Sequence, residues 1–391
     1  MWPPPLNQPL CLPKIFVYPD DPRMGPFQMG NATVGTAYIA ETILLRQLRD
    51  PTSAVHRTYV TTNPEEADFF FIPFRGSAYL TYCWFHEGRE KKECEAEADV
   101  EYVRRMMDHI ENDHPYWKRS QGKDHIMIHP MDMTALYYKD RRRFQNATFL
   151  TTIGDRRHVA VERRQTRRYH DITIPSATAI LDIAKVSPLD YVGPRGHPRQ
   201  HIGRDIFVIF AGIYRDVKRT DQYSSGIRAL LNEGIDKLPG YMITKGWQYE
   251  EYAQLLARSK YGLSPQGWTL DTTRVWEYIA FGVVPVIIAD GIIMPFEDDI
   301  DWDSFTVRIR RADAHRLDQI LRSITPEEYE RKRQALWEHG RQVLLTRDAW
   351  HLIVRQLCRM RDDLVGMKTI PGGKHVSLSL TNATIQTTRF P

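Results

Sequence analysis

Short runs of consecutive apolar residues alternate along this chain with stretches in which apolar residues recur at helical spacing. The runs are rich in β-branched and aromatic residues, which is typical of strands buried on both faces of a parallel sheet. We expect such strands at residues 14–19, 69–74, 125–129, 206–211, 261–265 and 284–289, and further strands at residues 149–153 and 305–309. Helical spacing is clearest at residues 37–48, 100–112, 247–257 and 329–343. Because strands and helices alternate in both halves, the pattern predicts an α/β architecture.

The stretch from Arg258 to Trp302 contains a complete strand–helix–strand unit. Its first strand ends at Pro265, and a polar loop follows in which Gly267 lets the backbone approach a ligand. Residues 271–273, Asp-Thr-Thr, favour a helix N-terminus, and apolar residues then follow at helical spacing as far as Gly282. The buried strand that comes next completes a βαβ unit of a parallel sheet.

The N-terminus of the helix in this unit is a predicted phosphate site. The first N–H groups of a helix have no partner within it and carry about half a positive charge. Thr272 and Thr273 would add hydroxyl donors, and the planar guanidinium of Arg274 suits a diphosphate. Glu277 follows on nearly the same helix face and could accept both hydroxyls of a ribose. The alternative is a capped helix whose arginine and glutamate face solvent.

Several segments of this unit resemble the exostosin family, glycosyltransferase family 47. These segments are Ser264-Pro265, residues 267–277, residues 282–290, and residues 295–298 with Asp301-Trp302. Further matches at residues 67–73, 122–132 and 171–175 extend the resemblance over roughly residues 14–310. The resemblance implies nucleotide-sugar chemistry and a GT-B fold, in which two Rossmann-like domains with parallel sheets face a central cleft.

The length of 391 residues suits two domains of roughly 150–200 residues each. We expect an acceptor-side domain at residues 1–190 and a linker at 191–204, within a stretch rich in proline and glycine. The nucleotide-sugar-binding domain is expected at residues 205–345. Residues 346–391 are expected to be a C-terminal extension that packs back on the first domain.

The residues expected to bind the nucleotide sugar come from the second domain. They are Arg215, Ser264, Gly267, Asp271, Thr272, Thr273, Arg274 and Glu277. Arg215 closely follows a strand-end glycine, and the resemblance carries over residue by residue to Arg215, Arg274 and Glu277. The alternatives are an ordinary surface position for Arg215 and a purely helix-capping role for Asp271.

The catalytic base is expected in the first domain. The resemblance implies an inverting reaction, in which the acceptor hydroxyl attacks from the face opposite the nucleotide and needs a base to take its proton. Asp132, which follows the strand at residues 125–129, is the first candidate, and His129 is the second. A turn role is the alternative for Asp132.

We expect neither a metal ion nor another cofactor. Residues 297–303 contain two D-x-D triplets, a pattern that holds a divalent ion with the diphosphate in another glycosyltransferase fold. Here the triplets lie in a segment that resembles exostosins, and an enzyme with an arginine clamp does not need the metal. The histidines and the four cysteines show no metal-ligand spacing.

Charge and hydropathy exclude other classes of protein. The net charge of +4 is too small to imply nucleic acid, and no apolar run reaches the ~18–20 residues of a membrane span. The basic segment at residues 156–168 is either a solvated face or a contact surface for an anionic glycan or a membrane surface. A nucleotide enzyme of the P-loop or dinucleotide-binding type is excluded, because its glycine motifs do not occur at a strand–helix junction.

The cysteines and glycosylation sequons bear on the compartment. Cys83 and Cys94 could form a disulfide in an oxidising compartment, and buried free thiols are the alternative. Sequons at Asn31, Asn146 and Asn382 favour a secretory lumen. We expect the lumenal side of the Golgi apparatus if an N-terminal anchor is missing from this sequence, and the cytoplasm otherwise.

These expectations combine into one functional hypothesis. The chain is expected to be a metal-independent, inverting glycosyltransferase that moves a sugar from a UDP-sugar to a cell-wall, matrix or glycoprotein glycan. The alternative is a non-catalytic glycan-binding or scaffolding partner of an active glycosyltransferase. A homo-oligomer and a hetero-oligomer both stay open.

Overall fold

The computed structural model describes residues 11–21, 39–130, 139, 141–156, 170–183, 186–199, 203–214, 217–220, 222–345 and 349–364. The strands are β1 (Ile15–Val17), β2 (Val60–Thr61), β3 (Phe69–Phe71), β4 (His125–His129), β5 (Thr148–Thr151), β6 (Ile172–Thr173), β7 (Ile206–Ala211), β8 (Tyr241–Thr244), β9 (Ser259–Pro265), β10 (Val284–Ile288) and β11 (Val307–Arg308). The α-helices are α1 (Ala40–Arg49), α2 (Ala54–Tyr59), α3 (Gly76–Thr81), α4 (Lys91–Glu97), α5 (Arg105–Asp113), α6 (Tyr116–Ser120), α7 (Pro188–Tyr191), α8 (Ala229–Asn232), α9 (Tyr249–Arg258), α10 (Arg274–Phe281), α11 (Leu317–Ser323), α12 (Pro326–Glu338) and α13 (Ala349–Leu364).

The strands form two separate sheets, and every pairing between their described strands is parallel. The first sheet has the order β2-β1-β3-β4-β5-β6, and the second has the order β11-β10-β9-β7-β8. The chain passes from the first sheet to the second between Thr173 and Ile206. Two parallel sheets of doubly wound order confirm the predicted fold class, α/β with two Rossmann-like domains of the GT-B type.

Alternation along the strands of the second sheet builds an apolar core on each face. On one face, Val208 and Phe210 pack with Ile227 and Leu231 of the α8 region. On the other face, Ile209 and Ala211 pack with residues of α9 and α10. Helices therefore cover both faces of the sheet, which explains why its central strands read as continuous apolar runs.

Two strands were not predicted from the sequence, and both lie at sheet edges. β2 is only two residues long, and β8 is half-buried, with Met242 39% exposed. An edge strand packs against fewer neighbours, so its sequence lacks the continuous apolar run that identifies a central strand. The predicted strands at the positions of β1, β3, β4, β5, β7, β9, β10 and β11 are confirmed, as is the short strand β6 that the resemblance implies at residues 171–175.

The two domains touch through the loops that follow β5, β6 and β10. Asp155 and Ile292 form an antiparallel bridge, and the Ile293 N–H donates to the Gly154 carbonyl over 2.9 Å. A Cβ at position 154 would lie 2.2 Å from the Ile293 carbonyl oxygen, so only glycine permits this approach. Ser176 makes a further contact, with α10 of the second domain.

All four cysteines are paired, in the disulfides Cys83–Cys94 and Cys11–Cys358. The alternative of free thiols at Cys83 and Cys94 is therefore wrong. Cys11–Cys358 joins segments 347 residues apart and fixes α13 beside the start of the first domain.

Helix α13 contacts both domains. The Trp350 indole N–H donates to the carbonyl of Leu44 in α1, and buried Arg355 pairs with buried Asp299 of the second domain over 3.1 Å. The domain boundaries at 190, 205 and 345 stay predictions. Within the described residues, no helix is both long enough and apolar enough to cross a bilayer.

We expect Cys358→Ser to lose more stability than Cys94→Ser. The Cys11–Cys358 bond closes a loop of 347 residues and the Cys83–Cys94 bond one of 11, and the longer loop restricts the unfolded chain more. The chain-entropy relation gives a difference of about 2–3 kcal/mol in the free energy of unfolding. Urea denaturation of both variants and the parent measures it, and equal losses would contradict the expectation.

Candidate active site

The candidate site lies at the carboxyl ends of β7 and β9, the neighbouring strands at which the second sheet reverses its order. In an open parallel sheet, the connections leave such a pair of strands toward opposite faces, and a crevice for ligands opens between them. Residues 212–214 follow β7, residues 266–268 follow β9, and α10 begins a few residues further on.

Arg274, the first residue of α10, places its guanidinium over the end of β7. Its Nε donates to the carbonyl oxygen of Ala211, and the guanidinium carbon lies 5.3 Å from the centre of the Phe210 ring. A Cβ at Gly212 would lie 2.7 Å from Nη2 of Arg274. The missing side chain of Gly212 therefore leaves the space that the guanidinium occupies on the floor of the crevice.

Arg228 is a second arginine at this site, and sequence reasoning missed it. It is only 4% exposed, and it donates over 3.1 Å to three carbonyl oxygens, those of Ile213, Pro265 and Gln266. It also donates to the Tyr223 hydroxyl. One guanidinium thus ties the loop after β7 to the loop after β9. A charged residue inside the apolar run at 227–231 was the only signal that could have pointed to it.

The two arginines leave positive charge at the floor of the crevice. The guanidiniums of Arg228 and Arg274 donate, among the described residues, to carbonyl oxygens and to the Tyr223 hydroxyl. Burial, with the charge of Arg274 adding to it, lowers the pKa of Arg228 to about 10, so the group stays protonated at neutral pH. Dipoles rather than carboxylates solvate these cations, which favours an anionic ligand.

The helix N-terminus beside these arginines has the expected composition but unexpected contacts. The buried hydroxyls of Ser264 and Thr272 hydrogen-bond to each other. Thr273 is the N-cap residue of α10, and its side chain makes no capping hydrogen bond. Asp271 lies outside the helix, and its carboxylate accepts from the Ser176 hydroxyl of the first domain over 2.8 Å. Asp271 therefore contacts the first domain, and its role at the site stays a prediction.

Glu277 is buried on the side of α10 that faces α9. It is 6% exposed, and one carboxylate oxygen accepts from the Tyr252 hydroxyl over 3.0 Å. Burial raises the pKa of Glu277 to about 7, although Arg274 and the Tyr252 hydroxyl both favour the ionised form. The alternative in which this glutamate faces solvent is therefore wrong.

The candidate bases cannot be compared directly, because Asp132 lies outside the described residues, as does Arg215 of the predicted clamp. His129 ends β4 at the carboxyl edge of the first sheet and is 1% exposed. The rings of Phe74, Phe144 and Phe149 surround it, with Phe149 at 4.8 Å between centroids. The base therefore stays a prediction.

The acidic run at 297–303 is used in contacts within the chain. Asp299 binds Arg355, Gln356 and Arg359 of α13, and Glu297 pairs with Arg156 of the first domain. Among the described residues, no three histidine, cysteine, aspartate or glutamate side chains are placed to share a metal ion. The rest of the basic segment, residues 157–168, lies outside the described residues.

Comparison with known proteins identifies the family. Residues 12–324 match the family model of the exostosin GT47 domain, which is most of the chain. The chain belongs to the exostosin GT47 family. It is therefore a glycosyltransferase, as the sequence predicted.

Individual relatives of this exostosin-family enzyme are plant proteins. "Probable glucuronosyltransferase GUT1" of Oryza sativa subsp. japonica is 29% identical over 318 residues, which is 76% of this chain and 70% of the relative. "Probable beta-1,4-xylosyltransferase IRX10" of Arabidopsis thaliana is 30% identical over 331 residues, 79% of this chain and 74% of the relative. Among solved structures, Acinetobacter baumannii MurG aligns with 88% of this chain and 98% of its own at 8% identity and a TM-score of 0.34, too low to support an argument.

We expect Gly212→Ala to weaken nucleotide binding without unfolding the protein. The added methyl group would displace the Arg274 guanidinium, because the two would otherwise lie 2.7 Å apart. Loss of a charge-assisted hydrogen bond to phosphate corresponds to roughly tenfold weaker binding. Calorimetric titration with UDP measures this. Gly246→Ala is the control, since a Cβ there meets no atom within 4 Å, and an equal effect of both variants would contradict the expectation.

We expect the stability of Glu277→Gln relative to the parent to increase with pH. The folded-state pKa of Glu277 is about 7 against an ordinary value of 4.5, so the carboxyl favours the folded state only while it is protonated. This contribution is full below pH 4.5 and is lost as pH rises to about 7. Urea denaturation of both proteins at several pH values tests the sign. A difference that does not change with pH would contradict it.

Proposed function

We propose that this exostosin-family enzyme transfers a sugar from a UDP-sugar to a glycan acceptor, with inversion and without a metal ion. The observation that carries the proposal is the pair of guanidiniums at the β7–β9 crevice, beside the N-terminus of α10. Negative charge develops on the departing nucleoside diphosphate during transfer. Fixed cations and helix N–H groups at that position would stabilise it, as a metal ion does in other enzymes.

The donor is proposed to lie with its diphosphate at Arg274 and its ribose toward Glu277. Arg274 and Glu277 are three residues apart on α10, and Tyr252 orients the Glu277 carboxylate. Two relatives are named as a glucuronosyltransferase and a β-1,4-xylosyltransferase. UDP-glucuronic acid and UDP-xylose are therefore the first donors to test. A polysaccharide of a cell wall or matrix, or a glycoprotein glycan, is the proposed acceptor.

The proposed compartment is the lumen of the Golgi apparatus. Two disulfides use all four cysteines, and disulfides persist in oxidising compartments. Asn146, one of the three sequon asparagines, is partly exposed beside β5, and the other two lie outside the described residues.

Thermal-shift measurements with nucleotides and nucleotide sugars test the proposal. We expect UDP and its preferred UDP-sugar to raise the melting temperature in the presence of EDTA, and GDP to have less effect. Arg274→Ala should abolish the shift, because it removes a cation from the phosphate site. Arg322→Ala is the matched control. The guanidinium carbon of Arg322 lies 4.6 Å from the centre of the Phe207 ring, at the end of β7 opposite the crevice, so this variant removes an arginine away from the phosphate site.

The other outcomes each reject a part of the proposal. A shift that needs a divalent ion would overturn metal independence and direct attention to Asp301 and Asp303. A shift with UDP-sugars but no transfer to any glycan would support the non-catalytic partner. A chain that responds to no nucleotide would overturn the donor assignment.

A further inference from the structure

An exposed aromatic side chain lies at the rim of the donor crevice. Trp268, in the loop after β9, is 66% exposed, and Ile213, in the loop after β7, is 61% exposed. The ring of half-buried Tyr223 meets Trp268 edge to face, with centroids 5.2 Å apart. We call Ile213, Tyr223 and Trp268 the rim patch. Large apolar side chains grouped on a surface usually mark a binding site.

The loops that carry the rim patch are firmly held. Arg228 donates to the Ile213 and Gln266 carbonyls and to the Tyr223 hydroxyl, so one buried side chain fixes both loops. The Ser224 N–H donates to the Gly267 carbonyl over 2.9 Å, and the Gln266 amide donates to the Ser225 hydroxyl over 2.9 Å. Trp268 is therefore exposed on an ordered support.

The backbone beneath Trp268 is also strained. Ser224 and Ser225 have φ angles of 53° and 49°, in the left-handed region that residues other than glycine rarely occupy. Such a conformation is unfavourable for residues other than glycine, and strain of this kind concentrates at ligand-binding segments. Ser224 and Ser225, which lie beside the rim patch, therefore adopt a backbone conformation that serine does not prefer.

The rim patch lies on the side of the crevice away from the expected nucleoside. Tyr223 belongs to the segment that leads into α8, on one face of the sheet. Glu277 belongs to α10 and pairs with α9 on the opposite face. The described contact of Ser176 with Trp276 between the domains is also on the α10 face. The rim patch and Glu277 therefore belong to elements on opposite faces of the sheet.

We propose that the rim patch binds a pyranose ring of the acceptor glycan, stacked on the Trp268 indole next to the reacting hydroxyl. This inference rests on the proposed transferase function. One face of a pyranose carries C–H groups and packs on a flat aromatic ring, while its hydroxyls stay in water or bind polar groups nearby. Ile213, which is 61% exposed in the loop after β7, adds apolar surface at the same end of the sheet.

The test compares Trp268→Ala and Trp268→Phe with the parent chain. The probes are β-1,4-linked xylo-, cello- and manno-oligosaccharides, titrated calorimetrically in the presence of UDP. We expect Trp268→Ala to bind the recognised oligosaccharide roughly tenfold more weakly, and Trp268→Phe to retain most of the affinity. The UDP-induced thermal shift should be the same in all three proteins. Phe85→Ala is the control, because Phe85 is 52% exposed in the first domain, far along the chain from the crevice.

Each other result has a definite meaning. Weaker UDP binding by Trp268→Ala would overturn the inference, because Trp268 would then contact the nucleotide. Equal oligosaccharide binding by Trp268→Ala and the parent, or none by the parent in the presence of bound UDP, would also overturn it and leave the donor proposal intact. If the parent does not respond to UDP, the proposed function fails, and titration without nucleotide still tests the rim patch.

Discussion

The buried guanidinium of Arg228 is the interaction on which the candidate site depends. It donates to the carbonyl oxygen of Ile213 in the loop after β7 and to those of Pro265 and Gln266 at the end of β9 and just after it, and it is nearly inaccessible to water. A cation buried without a carboxylate is costly unless dipoles surround it, and here carbonyl groups and the rings of Phe210 and Tyr223 supply that environment. None of the hydrogen bonds of this guanidinium to described residues goes to a carboxylate, so its positive charge favours an anion in the crevice.

Helix α10 contributes both to the candidate site and to the contact between the domains. Its first residue is half-buried Arg274 of the proposed clamp, and its Trp276 indole donates to Ser176 of the first domain over 2.7 Å. The same Ser176 hydroxyl donates to Asp271, just before the helix. On the opposite side of the unit, Gly262 of β9 lets Tyr278 pack against the sheet, because a Cβ there would lie 2.5 Å from the ring. The helix therefore packs against β9 on one side and contacts the segment after β6 of the first domain on the other.

The central strands were predicted well because nearly every residue in them is buried, which leaves a continuous apolar run in the sequence. Val284–Ile288 is predicted as a buried strand because consecutive residues in it are apolar. Helix α10 is predicted to end at Gly282 because glycine readily adopts the left-handed φ of 69° that ends a helix. The edge strands escaped detection because half-burial leaves no such run. The pairing of Cys11 with Cys358 was invisible for another reason: it depends on where α13 docks, 347 residues along the chain.

The site was predicted only as far as it lies on one continuous segment. Arg274 and Glu277 share a helix, so their spacing in sequence is their spacing in space. Arg228 reaches the same point from a different crossover, and no local pattern distinguishes a buried arginine from an exposed one. The acidic run at residues 297–303 shows that a sequence motif can also suggest a ligand site where the side chain has a structural contact. Asp299 matches a metal-binding triplet, yet it lies fully buried against Arg355 of α13, where a paired carboxylate joins the extension to the second domain. Removing one partner from a buried pair leaves an isolated charge, so this contact is expected to hold α13 in place more than to bind any ligand.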